Sequence, residues 1–190
     1  MSGKEKPSDH GKPKLAQGSG SVKDAPLRFA ADCMLGRLAR WLRILGHDVV
    51  YFRRIEDADL VDLALREGRI LLTRDTRLVR RRAAREAILV ESPYLEQQLR
   101  QLARWDGARL LAPGLCRRCL ECNEPTLAVE KEGVRERVPP YVFRTQSRFR
   151  ECPSCRRIYW SASHVQDMLR RLRRSLGPGI AALTGRKPGA

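Results

Sequence analysis

Apolar positions gather in four short runs, residues 27–31, 49–52, 69–73 and 87–90, and each run reads as a β-strand. Between most of them the period lengthens to that of a helix. Leu35, Leu38, Leu42 and Leu45 fall three and four residues apart and draw one apolar stripe over 33–45. Arg37, Arg40 and Arg43 lie on another side of that helix, and Gly46 is placed to cap its end. A second helical segment, 60–67, follows the acidic stretch Glu56-Asp57-Ala58-Asp59. A third follows Arg74-Asp75 and carries Arg80, Arg81, Arg82 and Arg85. Pro93 suits the first turn of a fourth helix running to about Trp105. Strand and helix alternate with short connections, which predicts an α/β fold with a parallel sheet covered by helices on both faces.

The pattern breaks near 110–114, where Pro113-Gly114 interrupts it. Beyond that point helical periodicity stops, short β-like pieces surround Pro139-Pro140, and 169–176 reads as a short basic helix. The two ends have a different character. Residues 1–26 are Lys, Ser, Gly, Asp and Pro with almost no apolar periodicity, too little to offset the entropy of ordering. The expected organisation is a disordered basic arm over 1–26, an α/β domain over 27–112, a cysteine-bearing domain with its basic helix over 113–176, and a flexible tail over 177–190.

Charge narrows the partners. Against 22 acidic residues stand 38 basic ones, a net charge of +16, and Arg greatly outnumbers Lys. Guanidinium forks suit phosphate oxygens, so this excess favours a nucleic-acid partner over a merely soluble basic surface. No apolar stretch approaches the roughly 20 residues that span a membrane, and no signal-peptide segment opens the chain. The expected setting is therefore cytoplasmic, where thiols stay reduced and clustered cysteines serve metals more often than disulfides.

Five of the six cysteines lie beyond the break. Cys119-x2-Cys122 and Cys152-x2-Cys155 are separated by 29 residues, and two such tight turns complete a tetrahedral Zn²⁺ site. Cys116 has the same spacing to Cys119. The pair Cys119–Cys122 is preferred because Asn123-Glu124-Pro125 continues like a knuckle turn, which leaves Cys116 as a spare thiol or a neighbour of the site. Cys33 is expected to be a small buried residue at a helix start, and His164 a helix-start histidine beside its Ser cap.

The acids carry the chemistry. Asp32, Asp57, Asp75 and Glu91 each lie at or soon after the end of a strand-like run, and the ends of parallel strands converge on one ligand-binding edge. Singly, each has an ordinary explanation: Asp32, Asp59 and Asp75 immediately precede helices, where Asp is a favoured N-cap, and Asp59 with Asp62 has capping-box-like spacing. Jointly, crowded carboxylates repel, and a hard divalent cation relieves that repulsion. Mg²⁺ or Mn²⁺ held in this way activates water and clamps a scissile phosphate, with Arg37, Arg40, Arg74 and Arg77 close enough to hold backbone phosphates. There is no Ser-His-Asp or Cys-His order for acyl chemistry and no phosphate-cradling Gly-x-x-x-x-Gly-Lys loop.

At these residues the chain resembles a known family. Asp32-Cys-Met-Leu-Gly-Arg-Leu-Ala-Arg-Trp-Leu-Arg-Ile-Leu-Gly46 is similar to the opening of the Mut-seven C-terminal ribonuclease domain family, a PIN-like group. Arg69-Ile-Leu-Leu-Thr-Arg-Asp75 resembles its second signature, and the two knuckles followed by Ile158-Tyr159-Trp160 and Ser163-His164 resemble its zinc ribbon. The resemblance covers about 27–172. It implies a PIN-like α/β nuclease fold with an appended four-cysteine zinc ribbon, acting on RNA through a divalent metal. Asp32 and Asp75 map onto acidic positions of the family, Asp57 (or its neighbours Asp59 and Asp62) onto a third, and Glu91 onto a weaker one. Ala162 and Val165 replace a glycine and an aromatic residue usual around the histidine, and Arg156 replaces a glycine usual after the second knuckle.

The combined reading is a metal-dependent ribonuclease of endonucleolytic type. Catalytic Asp32, Asp57 and Asp75 would bind Mg²⁺ or Mn²⁺, and Cys119, Cys122, Cys152 and Cys155 would hold structural zinc. The rival is a non-catalytic RNA- or ribosome-binding zinc-ribbon protein whose acids are caps. A toxin-like nuclease paired with an antitoxin is a third reading, disfavoured by the fused ribbon.

Overall fold

The computed structural model describes residues 25–175 apart from 82, 83, 85, 112, 113 and 162. All but the last two residues of the arm expected over 1–26, the tail over 177–190 and the positions of Arg82, Arg85 and Pro113 lie outside these residues. The four apolar runs become β1 (Arg28–Ala31), β2 (Asp48–Tyr51), β3 (Ile70–Thr73) and β4 (Ala87–Leu89), all parallel, in the order β2-β1-β3-β4. The chain winds outward from β1 to β2, then crosses back over β1 to β3. Loops leaving β1 and β3 therefore diverge, and such a reversal opens a crevice at the carboxyl ends of the two strands.

The pleat divides each strand between two cores, as the α/β expectation requires. Phe29, Ala31, Val49 and Leu72 point to one side, where Leu38 and Leu42 of α1 (Gly36–Ile44) meet Leu99 and Leu102 of α4 (Leu95–Leu111). Ala30 and Leu71 point to the other, against Leu60 and Ala64 of α2 (Asp57–Glu67) and Leu78 of α3 (Thr76–Val79). Gly46, at φ +95°, and Gly68, at φ +59°, take the left-handed conformation just past α1 and α2, where a side chain would be strained.

The cysteine-bearing segment folds as a small antiparallel sheet, β5 (Leu127–Val129), β6 (Phe149–Glu151) and β7 (Ile158–Trp160), with β6 in the centre. A 3-10 turn (Glu132–Arg137) and α5 (Pro140–Thr145) lie between β5 and β6. The last helix, α6 (Ser163–Ser175), returns to the first domain: Val165, Leu169 and Leu172 join the core of α1 and α4.

A buried histidine that the sequence reading passed over ties this core together. The His47 ring is fully buried; its Nδ1 accepts the Leu27 amide at 3.1 Å, so its Nε2–H donates to the Leu110 carbonyl at 2.9 Å. Burial drives its pKa down to about 4, against the opposing pull of the Leu110 carbonyl.

Several local expectations are corrected. The helix after Asp75 is one turn long and ends at Val79; Arg80 and Arg81 lie in the turns that follow, which return Ala84 to the core and lead into β4. Helix α2 begins at Asp57, with extended Glu56 at the N-cap, so Asp59 lies inside the first turn and is not the cap. Carboxylates there favour the positive end of the helix. Helix α4 passes Trp105 to reach Leu111 through a break at Asp106, whose Oδ1 accepts the Arg109 amide at 3.1 Å and restarts the turn. The β-like pieces expected around Pro139-Pro140 are β5 and β6, but Pro140 itself opens α5, and α6 starts at Ser163 rather than near 169. Cys33 is exposed, not buried.

Candidate active site and metal centre

Strand register builds the acidic site. Ala31 pairs with Leu72 on one side and Tyr51 on the other, so the next residue, Asp32, lies between Thr73 and Phe52. The Asp32 amide donates to the Leu72 carbonyl at 2.9 Å, which carries the ladder past the end of β1. Asp32 is 8% exposed and Thr73 is fully buried. The Thr73 hydroxyl accepts the Asp75 amide at 2.9 Å and spends its own proton on Asp32 Oδ2 at 2.7 Å. One hydroxyl thus joins the two acids that end the central strands. The Met34 amide donates to Asp32 Oδ1 at 3.3 Å, and the Arg77 amide to Asp75 Oδ1 at 2.7 Å, so both acids also cap the turns they precede.

Burial alone would raise the Asp32 pKa. The Thr73 hydroxyl, the Cys33 thiol and the amides of Met34 and Arg74 outweigh it and hold the carboxyl below its usual range. Asp32 is therefore ionised at neutral pH.

The other predicted residues are more dispersed. Asp57 is exposed at the start of α2 and pairs with Arg81 at 3.6 Å. Glu91 is exposed, and its amide donates to Gln101 Oε1 at 3.1 Å. Arg37 is exposed on α1, but Arg40 reaches Glu121 of the cysteine domain at 3.5 Å. Arg77 is exposed, and the Arg74 Nε–H is buried without a partner. Among the described residues, Asp32, Asp57 and Asp75 do not converge on one point as the cysteines do. Two carboxylates on adjacent strand ends nevertheless suit Mg²⁺ or Mn²⁺, which commonly take one or two protein carboxylates and complete their shell with water and substrate phosphates.

The cysteines converge closely. The sulfurs of Cys119, Cys122, Cys152 and Cys155 all lie within 4.8 Å of one another, with Cys119 and Cys155 3.6 Å apart. Tetrahedral Zn²⁺ with bonds of about 2.3 Å requires sulfurs about 3.8 Å apart, so the set can hold one zinc ion. The two knuckles repeat each other. Sγ of Cys119 accepts the Cys122 amide at 3.3 Å, as Sγ of Cys152 accepts the Cys155 amide at 3.5 Å. The Asn123 amide returns to the Cys119 carbonyl and the Arg156 amide to that of Cys152, and both residues are left-handed, at φ 64° and 63°. The Leu120 amide donates to the Tyr159 oxygen, which lies 3.0 Å from Cys119 Sγ, so that the Tyr159 hydroxyl can donate to the sulfur in its thiolate form. Burial would raise the Cys119 thiol, but Tyr159 and the amides of Cys122 and Glu121 bring it down to about 6. Cys116 stands outside the cluster, its thiol directed at the Trp160 carbonyl. His164 lies in α6, and its side chain is outside the described set.

A family model described as the Mut7-C RNAse domain matches residues 27–172. The chain belongs to the Mut7-C RNAse domain family. The Mut7-C match runs from the start of β1 through the cysteine domain and most of α6, so sheet, ribbon and returning helix all fall within it. No curated protein and no solved structure matches the chain. The family points to a ribonuclease-like hydrolase with RNA as substrate, and no described helix is long and apolar enough to cross a membrane.

In this Mut7-C chain the first knuckle is bound to the exposed edge of the nuclease sheet, a link the sequence reading missed. Asn123 Oδ1 accepts the Val49 amide at 2.9 Å and its Nδ2 donates to Asp48 at 2.7 Å. Buried Arg43 donates to the Val49 carbonyl at 2.8 Å and to the carbonyls of Leu120 and Glu121 at 2.8 and 3.1 Å. Asp48 also holds Arg69, at 2.8 Å, and Arg118, at 3.7 Å. Polar groups on edge strand β2 that would otherwise need water are thus satisfied by the knuckle. Spacing alone could not signal these contacts; Thr73 could have been found, because alternation places it on the same face as Asp32.

Proposed function

We propose that the chain is a metal-dependent ribonuclease that hydrolyses RNA phosphodiester bonds at the carboxyl edge of its parallel sheet. The observation that supports this best is the position of Asp32 and Asp75. They leave neighbouring central strands where the winding reverses, and the buried Thr73 hydroxyl joins them. Asp32 and Asp75 are the metal-holding carboxylates, and Asp57, at the start of α2, is the third acid. Bound Mg²⁺ or Mn²⁺ supplies charge neutralisation and a water of lowered pKa. Asp32, kept ionised by its donors, and Asp75 would hold the ion and orient an attacking water toward the phosphorus. Arg74, Arg77 and Arg37 hold the flanking phosphates, whereas Arg40 is partly engaged by Glu121. The zinc ribbon is structural and supports β2. Reduced thiols at the four-cysteine site suit the cytoplasm.

One observation favours the non-catalytic reading: Asp32 and Asp75 both cap turns, and Asp57 stands apart from them. Incubating a defined end-labelled RNA with the purified chain, with and without Mg²⁺ or Mn²⁺, separates the two. Metal-dependent internal cuts support the proposal, and intact RNA under every metal condition supports the binding protein.

A further inference from the structure

On the side of Asp32 away from Thr73, the register brings in Phe52, the first residue after β2. Phe52 is 40% exposed, and Arg53 and Arg54 follow it, both exposed. Alternation along β2 gives Phe52 the same sheet face as Val50, and along β1 gives Asp32 that of Ala30, which is one and the same α2-side face. The strand spacing of about 4.8 Å then puts the Phe52 backbone within one nucleotide's reach of Asp32.

The segment is anchored at both ends. The Tyr51 hydroxyl donates to the Cys33 carbonyl at 3.1 Å, next to Asp32, and Ile55 packs into the α2-side core. Gly36 makes room for Tyr51: a Cβ there would come within 2.7 Å of the phenol oxygen. Between the anchors, Arg53 and Arg54 have no ion pair or side-chain hydrogen bond among the described residues. Arg28, Arg66 and Arg81, also exposed on this domain, each pair with a carboxylate, whereas Arg37, Arg77, Arg80 and Arg104 share the unpaired state of Arg53 and Arg54 among the described residues.

We infer that Phe52, Arg53 and Arg54 form a substrate grip beside the acidic site, with Phe52 stacking on an unpaired base and the two guanidinium groups holding the phosphates that flank it. The inference rests on the ribonuclease reading for its substrate. Stacking needs a base free of its duplex partner, so the grip selects single-stranded RNA. Its position next to Asp32 sets which linkage is presented to the acids.

The test uses the zinc-loaded full chain and a short fluorescein-labelled single-stranded RNA with phosphorothioate linkages, compared with the same strand in a duplex. Phe52→Ala should weaken single-strand binding about tenfold and Phe52→Trp should restore it. Arg53→Ala with Arg54→Ala should lower the slope of log Kd against log salt by about 1.4. Unchanged affinity in Phe52→Ala together with an unchanged salt slope in the double variant would overturn the grip, as would preference for the duplex. Cleavage of unmodified RNA is measured beside binding. Wild-type cleavage with variants that bind normally overturns the grip alone, and grip-dependent binding without cleavage overturns the ribonuclease reading alone.

Discussion

The Thr73 hydroxyl donates to Oδ2 of Asp32 across 2.7 Å, between two residues 41 positions apart. Because the Thr73 hydroxyl oxygen also accepts the Asp75 amide, its proton is held toward Asp32. Thr73→Val keeps the shape and removes the donor. The variant should lose about 1–3 kcal/mol of stability, since a charged buried acceptor loses its partner. The lowered pKa of Asp32 means its contribution is present above the unfolded carboxylate value and lost as pH falls through the folded one. Removing Thr73 raises the folded value, so the acid limb of the cleavage profile should move to higher pH, while Thr73→Ser leaves it in place. A pH–rate profile of the three proteins is the check.

His47 makes stability pH-dependent in a predictable window. Its folded pKa is about 4 against 6.5 unfolded, so protonation favours the unfolded chain. The neutral ring's contribution is complete above pH 6.5 and declines as pH falls toward 4. The loss should reach roughly 2 kcal/mol by pH 5. Urea unfolding at pH 7 and pH 5 measures it; His47→Gln should be less stable at pH 7 and should lose this part of the pH dependence.

The two knuckles should respond differently to the same change. Asn123 and Arg156 occupy matching left-handed positions, where a non-glycine residue is strained by about 1 kcal/mol. Arg156 ion-pairs with Glu151 at 2.7 Å, but its side chain is 70% exposed, so that pair contributes little. Arg156→Gly should therefore be neutral or slightly stabilising. Asn123→Gly relieves the same strain but leaves the Val49 amide without its partner and takes one donor from Asp48, and should cost about 1–3 kcal/mol net. Thermal unfolding of the zinc-loaded variants distinguishes the two.

Stripping zinc should be felt in the nuclease sheet. With the cysteine knuckle no longer fixed, Asn123 is not held against β2, and the Val49 amide should exchange with solvent faster. Hydrogen exchange with and without a chelator, followed by zinc add-back, reads this directly. Protection at Val49 that is unaffected by zinc would show the docking to be independent of the metal.

The sheet was legible because parallel strands buried on both faces leave uninterrupted apolar runs. Asp32 and Asp75 were legible because each ends such a run, and the four cysteines because spacing alone defines a knuckle. Thr73 was hidden in Ile-Leu-Leu-Thr, where a β-branched residue reads simply as strand. The arginines after Asp75 are good helix formers, yet the short span to β4 leaves room for one turn only. Arg43 and Asn123 act on partners more than seventy positions away, at Leu120 and Val49, and no local pattern encodes those contacts. The same applies to α6, whose apolar stripe was visible only in part until α4 supplied its partner surface.

The most direct measurement is single-turnover cleavage of a defined end-labelled RNA by the wild type and by Asp32→Asn with Asp75→Asn, each with Mg²⁺ or Mn²⁺, with circular dichroism and RNA binding recorded on the same preparations. The account predicts metal-dependent cuts by the wild type and a rate lower by about a hundredfold or more in the double variant, with fold and most RNA binding retained. Cleavage by the double variant at the wild-type rate would contradict it.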